Sequence, residues 1–479
     1  MRATIAWLVP DIAQVAAAVT LFYCLFLFQG YQTLFRDSDA GWHIRTGEAI
    51  LATGRLPRTD PYSFTKAGQP WFAWEWAADV AAGAVHRAAG LRGVAFFYAL
   101  AIAAGVWMWF RLHWAMGGNF LIACAMAPLL LTTCSIHWLA RPHVLGWLLL
   151  LAIVWWCERG GGVWGVAAIA AVWANLHASF FLAAVVVAAY FAGDVTGPRP
   201  AAARTRSNPL RWSAMLLAAV LAPLLNPYGW RLYQHVYAYL TDSDLLSRIG
   251  EFHSFDFHAA GAGEIAAALI LAIAGGTLAL VAGRVPHFLL AMFFSALALR
   301  SARGLPLAAL IALPIANAAI TRFVTWKPFL AYADRLRAMD ARWNGGALVP
   351  VIVLAAFAPL RFVPAGWAPD QFPVAAYAHL APGGRLFAPD KYGGYLIYRS
   401  GGTRQVFFDG RSDFYGAEFL KRYGRLVQVR PGWREYWNSF HFSQALLPND
   451  APLLAALEQA GWRPVYHDGT VTVLDPGGT

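Results

Sequence analysis

Apolar runs separated by short polar breaks fill most of the chain. They fall near residues 12–30, 93–111, 119–138, 143–157, 162–175, 179–193, 212–226, 263–282, 286–300, 304–320 and 347–364, about eleven in all. A helix needs roughly 20 apolar residues to cross a bilayer. The pattern therefore predicts an all-α polytopic membrane bundle of about 11 transmembrane helices, whose shorter members tilt or pack inside the bundle. Two regions break it. Residues 31–92 make a long polar loop after the first run. Beyond 365, Gly-Gly pairs at 383–384, 393–394 and 401–402 punctuate short apolar runs. Gln405–Phe408 and Thr470–Leu474 read there as strands, and 414–429 and 450–461 have helical spacing. The expected division is a membrane domain over 1–364, including outer loop 31–92, and a small α/β soluble domain over 365–479.

Loop charges orient the bundle. Segment 194–211 carries Arg199, Arg204, Arg206 and Arg211, and segment 321–346 carries Arg322, Lys327, Arg335, Arg337 and Arg342. With an odd number of spans and a retained first span, both basic loops fall on the cytoplasmic side together with the N-terminus. Loop 31–92 and the C-terminal domain are then outside, in the periplasm of a Gram-negative cell, which makes this a multi-pass protein of the cytoplasmic (inner) membrane. Composition agrees, since hydrophobic residues make up 59% of the chain and charged ones 13%, about half the charged share of a soluble protein. The formal charge of +11 is spread over many loops, so no nucleic-acid-binding face is implied. Four cysteines, all in apolar runs, imply no disulfide framework.

The ionisable residues narrow the function. Asp37, Asp39, His43 and Arg45 follow the first run directly, and Asp37 and Asp39, two apart, suit either a shared divalent cation (Mg or Mn) or divided acid and base roles. The bland alternative is a pair of solvated loop acids. Trp71-Phe72-Ala73-Trp74-Glu75-Trp76 suits an interfacial helix that holds Glu75 just above the bilayer. Arg141, His143, Asn175, His177, Arg300 and Arg303, with His137, fall at ends of apolar runs, and Glu251 and His253 in the loop after the seventh run, all on the side that the orientation turns outward. Such groups are costly at a membrane and usually line a cavity or pair with one another, although each arginine also has the option of snorkelling to headgroups. Together the set suits transfer from a lipid-linked phosphate donor. A carboxylate, Asp37 or Asp39 with His43 and Glu75 beside it, deprotonates the acceptor; Arg141, His143, Arg300 and Arg303 hold the departing phosphate; Asn175, His177, Glu251 and His253 support them.

Asp37-Ser38-Asp39-Ala40-Gly41-Trp42-His43-Ile44-Arg45, Gly54-Arg55-Leu56-Pro57-Arg58-Thr59-Asp60-Pro61-Tyr62-Ser63-Phe64, Trp74-Glu75-Trp76, Arg141-Pro142-His143, Trp173-Ala174-Asn175-Leu176-His177, Asn226-Pro227-Tyr228-Gly229, Tyr392-Gly393-Gly394-Tyr395 and Phe408-Asp409-Gly410-Arg411-Ser412-Asp413 extend over most of the chain. In these stretches it resembles bacterial polytopic proteins of the GT-C glycosyltransferase superfamily, which includes protein O-mannosyltransferases and lipid A aminoarabinose transferases. The resemblance implies inverting sugar transfer from a polyprenyl-phosphate-sugar donor, with Asp37 or Asp39 as base or metal ligand; Asp39 is favoured because Trp42 and His43 follow within one helical turn. The WWD-type motif of oligosaccharyltransferases is missing, so the acceptor is open: a glycan, a lipid or a protein. Asp409, Arg411 and Asp413 are candidate acceptor ligands, with a salt-bridged turn as the alternative. Two rival classes remain, a lipid or polysaccharide transporter or flippase and a non-catalytic assembly protein. The lack of an inverted repeat counts against the first and the retained acids against the second.

Overall fold

Each of the eleven apolar runs folds as a helix in the computed structural model, which describes residues 6–197, 208–363 and 366–477. Arg199, Arg204 and Arg206 of the expected cytoplasmic loop lie outside the described residues. The helices that matter below are α1 (Ile12–Phe26), α2 (Ala40–Thr53), α3 (Trp76–Met116), α4 (Phe120–Ser135), α5 (His143–Glu158), α6 (Val163–Leu176), α7 (Ala178–Thr196), α8 (Pro209–Leu225), α9 (Trp230–Thr241), α10 (Ala262–Val281), α11 (Val285–Arg300) and α12 (Gly304–Phe323). Among the described residues, α3, α7, α10 and α12 are long and apolar enough to cross a membrane, and α8 with α9 makes a fifth if that pair, bent by 100°, counts as one span. Six further apolar helices have 10–17 residues. The bundle exposes Val19, Leu217, Ile270 and Val281 on its flanks, as lipid contact permits and water does not.

Helix ends follow from local chemistry. Asp11 caps α1, accepting from the Gln14 amide at 2.9 Å while Gln14 reaches back to the Asp11 amide at 3.0 Å. Asn119 accepts from the Leu121 and Ile122 amides at the head of α4. The run expected at 93–111 is the second half of α3, which begins at Trp76 and breaks at Gly90, where φ is 64°. Its first half lies against α2 rather than in the bundle, and the two helices meet at Gly47 and Gly83, where any side chain would overlap the facing backbone.

The C-terminal region forms a four-stranded sheet in the order β1 (Leu386–Phe387), β2 (Gln444–Pro448), β4 (Val471–Asp475), β3 (Arg463–His467), with β1 parallel to β2 and the other pairs antiparallel. Strand 470–474 is thus present as β4, and helices occupy Ala417–Val427 and Pro452–Gln459. Gln405–Phe408 is not a strand of this sheet. Its partner is the first loop: Val406 donates to the Tyr62 carbonyl at 2.8 Å, and the Phe64 amide donates to Val406 at 3.1 Å. Helix α13 (Asp390–Arg399) seats Gly394 against the Ser38 carbonyl, and its Gly394 carbonyl faces Gly41 on α2. One core of buried residues runs from Tyr31 and Phe35 through Trp367 and Tyr395 to Val471, so the soluble region is packed onto the first loop.

Candidate active site

At the junction of these parts lies a cavity of about 870 Å³. Its wall combines the start of α2, the approach to α3, the turns between α4 and α5 and between α6 and α7, the segment after α9, the facing ends of α11 and α12, and residues 390–391 and 410–413 of the C-terminal region. Asp37, Asp39, Glu75, Arg141, His143, His177, Glu251, His253, Arg300, Arg303, Arg411 and Asp413 all line it. Of the remaining candidates, His43 is buried behind Glu75, Asn175 sits behind Trp76, and Asp409 is fully buried.

Arg141 is the centre of charge. Its guanidinium donates to Asp37 Oδ2 at 2.6 Å, pairs with Asp39 Oδ2 at 2.8 Å and approaches Glu251 Oε1 at 3.4 Å; Glu251 is in turn paired with Arg303. Asp37 Oδ1 accepts the Asp39 amide at 2.9 Å. The i, i+2 spacing of the two acids thus closes a local turn that presents both carboxylates to one guanidinium. Burial, reinforced by Asp37 and opposed by Arg141, pushes Asp39 up to about 7. Burial also acts on Glu251, yet Arg303 and Arg141 hold it well below the usual carboxylate range. The acid pair does not fit a metal here. Both acids are engaged by Arg141, and among the described residues no group of three or more His, Cys, Asp or Glu side chains is placed to hold an ion.

Glu75 anchors a second group. Its Oε2 is 3.9 Å from His43 Nε2 and its Oε1 is 3.5 Å from His177 Nε2. Behind them, His43 Nδ1 meets Asp79 Oδ1 at 2.6 Å, and His177 Nδ1 meets Ser179 Oγ at 2.7 Å. Residues 71–75 are not the interfacial helix that their aromatic spacing predicts. Ala73 donates its amide to the Tyr228 hydroxyl at 3.1 Å and Phe72 stacks on Tyr228 at 3.9 Å, so the segment is held as a non-helical cavity wall, with a tight turn from Phe72 to Trp74. Asn175 fixes the start of α3 by accepting from Trp76 Nε1 at 2.8 Å, and Asn226 donates to the neighbouring Ala174 carbonyl. Asn226-Pro227-Tyr228-Gly229 therefore acts through the wall.

Arg411 donates to Asp409 at 2.7 Å and to Asp60 at 2.8 Å, all three buried, and lies over the Trp71 ring at 4.7 Å. Asp409 thus faces no ligand; it belongs to a salt bridge that ties the C-terminal region to the first loop. Asp413 meets His235 Nε2 at 3.0 Å. His143 Nε2 meets the His137 carbonyl at 2.8 Å, and His253 Nε2 meets that of Ser247 at 2.9 Å. Arg300 is exposed and has no ion-pair partner among the described residues. Sequence reading passed over Asp79, Lys391 and Ser179. Asp79 alone left a signal, a charge at the head of a helix that becomes apolar.

Gly410 packs directly on the Asp39 carboxylate, with no room for a Cβ. We expect Gly410→Ala to push Asp39 off Arg141 or lift residues 409–413 from the first loop; a rise in protease cleavage between residues 400 and 416 of the detergent-solubilised protein, with the bundle intact, checks this.

The fold and site together define a helical membrane protein whose charged cavity is closed on one side by the C-terminal region. No family model matches the chain, and no curated protein matches it. Among solved structures, it shares its fold with the oligosaccharyltransferase of Archaeoglobus fulgidus in the apo form, with a TM-score of 0.54 and 13% identity over 91% of this chain and 69% of that one.

Proposed function

We propose that this protein is a GT-C-type inverting glycosyltransferase of the cytoplasmic membrane that moves a sugar from a polyprenyl-phosphate donor to an acceptor hydroxyl on the outer face. The observation that carries the reading is the convergence of Asp37, Asp39, Glu75 and Glu251 with Arg141, Arg303, His143 and His177 on one cavity at the end of an apolar bundle. Arg141 and Arg303 receive the departing phosphate, whose charge then shares them with Asp37, Asp39 and Glu251. Asp39 and Glu75 are the carboxylates available to take the acceptor proton. Arg300 and Lys391 add positive charge to the wall. The likeness to an oligosaccharyltransferase supports the fold side of this reading. Sidedness has support in α12: Gly304 lines the cavity and Arg322 ends the same helix, about 27 Å away at 1.5 Å per residue. The basic loop thus lies opposite the site, as the positive-inside rule requires of an outward-facing cavity.

The test is sugar transfer or release by the purified full-length protein, supplied with a panel of polyprenyl-phosphate sugars, with Asp37→Asn and Asp39→Asn beside the wild type. We expect turnover by the wild type and a loss of about 10²-fold or more in each variant, since each frees Arg141 from an anion that positions it. No turnover with any donor, alongside wild-type behaviour of both variants in cells, would sink the reading.

A further inference from the structure

Three acids, Asp37, Asp39 and Glu75, line the cavity, and their surroundings differ. Asp37 has both oxygens engaged, one by Arg141 and one by the Asp39 amide. Asp39 has one oxygen on Arg141 and the other packed against Gly410. Glu75 reaches the same cavity, and among the described residues its carboxylate accepts no hydrogen bond; two imidazole nitrogens stand back from it at 3.5 and 3.9 Å. The nearer lone pairs of Glu75 are therefore open to an incoming hydroxyl, whereas those of the acid pair are committed to holding a cation.

Behind Glu75 stands an ordered pair. His43 is 1% exposed, and its Nδ1 contacts Asp79, itself 1% exposed, at 2.6 Å. That contact fixes the ring orientation and leaves Nε2 turned toward Glu75. Burial, with Arg141, His143 and His177 adding to it, holds His43 well below the usual imidazole range, so the ring beside Glu75 stays uncharged at neutral pH.

We propose that Glu75 is the catalytic base of the transfer, and that Asp79, acting through His43, is its positioning residue. The assignment rests on the glycosyl-transfer reading above. In the step it describes, the acceptor oxygen forms its bond to the anomeric carbon as the bond from that carbon to the phosphate oxygen breaks. The bonding pair leaves on the phosphate, facing Arg141 and Arg303, and the acceptor proton passes to Glu75. His43, anchored on Asp79 through Nδ1, keeps Glu75 oriented, and Glu75 gives the proton up to solvent through the cavity as the product leaves. Asp37 and Asp39 serve to hold Arg141 in place.

The groups that face Glu75 are His43 from α2, Asp79 from its own helix, His177 from the turn before α7, Arg141 and Arg303 from the bundle, Asp39 from the first loop and Asp413 from the C-terminal region. Burial dominates among them and raises Glu75 to about 8, with Arg141 opposing. A base must be ionised to act, so activity is low below that value and rises with pH through it.

The experiment measures kcat and donor KM against pH for the wild type, Glu75→Gln, Glu75→Asp, Asp79→Asn and Asp39→Asn, using short-chain polyprenyl-phosphate sugars with a hydroxyl acceptor. We expect a wild-type limb centred near 8. Glu75→Gln removes that limb and about 10²–10⁴-fold of kcat, the usual contribution of a general base, with donor KM unchanged. Glu75→Asp restores a limb at lower rate, which separates lost chemistry from lost folding. Asp79→Asn keeps the limb but displaces it, with a smaller fall in kcat. A limb that survives in Glu75→Gln and disappears in Asp39→Asn would overturn the assignment and make Asp39 the base. An undisplaced limb in Asp79→Asn would remove Asp79 as the positioning residue of Glu75. Absence of turnover by the wild type would instead overturn the glycosyl-transfer reading and this assignment with it.

Discussion

Replacing Arg141 by alanine is expected to abolish sugar transfer, lowering kcat/KM by about 10³-fold or more, the scale set by removing a preorganised cation from a developing phosphate charge. Arg141 contacts Asp37, Asp39 and Glu251 at once, so its loss also leaves three carboxylates crowded around an empty position. Breaking a buried ion pair from one side costs about 3–5 kcal/mol. With Arg303 still compensating Glu251, the lower end of that range is the expectation here. The Asp39 carboxyl, already raised to about 7, loses its opposing cation and rises further. The variant should therefore lose more stability above neutral pH, where the acids are ionised, than below it, and thermal unfolding in detergent at two pH values measures the difference. Arg141→Lys keeps the charge but cannot reach Asp37 and Asp39 with separate nitrogens, so it should recover stability before it recovers turnover. Arg141→Ala with wild-type turnover would remove this residue from the site.

The largest purely structural effect is expected at Arg411. Its side chain is 2% exposed and bridges Asp409 and Asp60, each with a side chain that is 0% exposed. Asp60 also closes the first loop on itself through the Tyr62 and Ser63 amides, both at 3.0 Å. Arg411→Leu preserves bulk while stranding two buried carboxylates, at a cost of about 3–5 kcal/mol. The damage should be local to the seam between the first loop and residues 405–415. Hydrogen exchange at Phe64 and Val406, whose amides cross that seam, should accelerate in the variant. Exchange in the bundle helices should stay as it is. Adding Asp409→Asn and Asp60→Asn to Arg411→Leu should restore part of the loss, because neutral amides tolerate burial far better than unpaired charges. No recovery in the triple variant would argue against charge as the cause.

The apolar helices were legible in the sequence because burial in lipid or core demands an uninterrupted apolar run, and each run is a helix. Several of the runs are too short to cross a bilayer on their own, as their lengths in the sequence already indicate. The charged residues of the cavity were legible for the complementary reason. Ionised groups at span ends are expensive, so Arg141, His177, Glu251 and Arg303 stood out against their surroundings and do meet in space. What escaped detection was whatever depends on a distant partner. Gln405–Phe408 has the alternation of a strand, but its hydrogen bonds go to Tyr62 and Phe64 and not to the sheet beside it in sequence. Trp71–Trp76 has interfacial composition, yet contacts to Tyr228 hold residues 71–75 as a non-helical wall. Asp79 drew no reading from the sequence, because His43, the partner that lies against it, is on another helix.

The seam at Gly41, Gly394 and Gly410 also sets the order in which this protein becomes competent during synthesis. Asp37, Asp39 and Glu75 leave the ribosome well before residues 390–413, which press against Ser38 and Asp39. Until that later segment has docked, the early loop lacks the wall that presses Asp39 against Arg141, and its tryptophans lack their cover of Arg411. The charged groups of the cavity therefore stay unassembled on a nascent chain until residues 390–413 have been made and have docked.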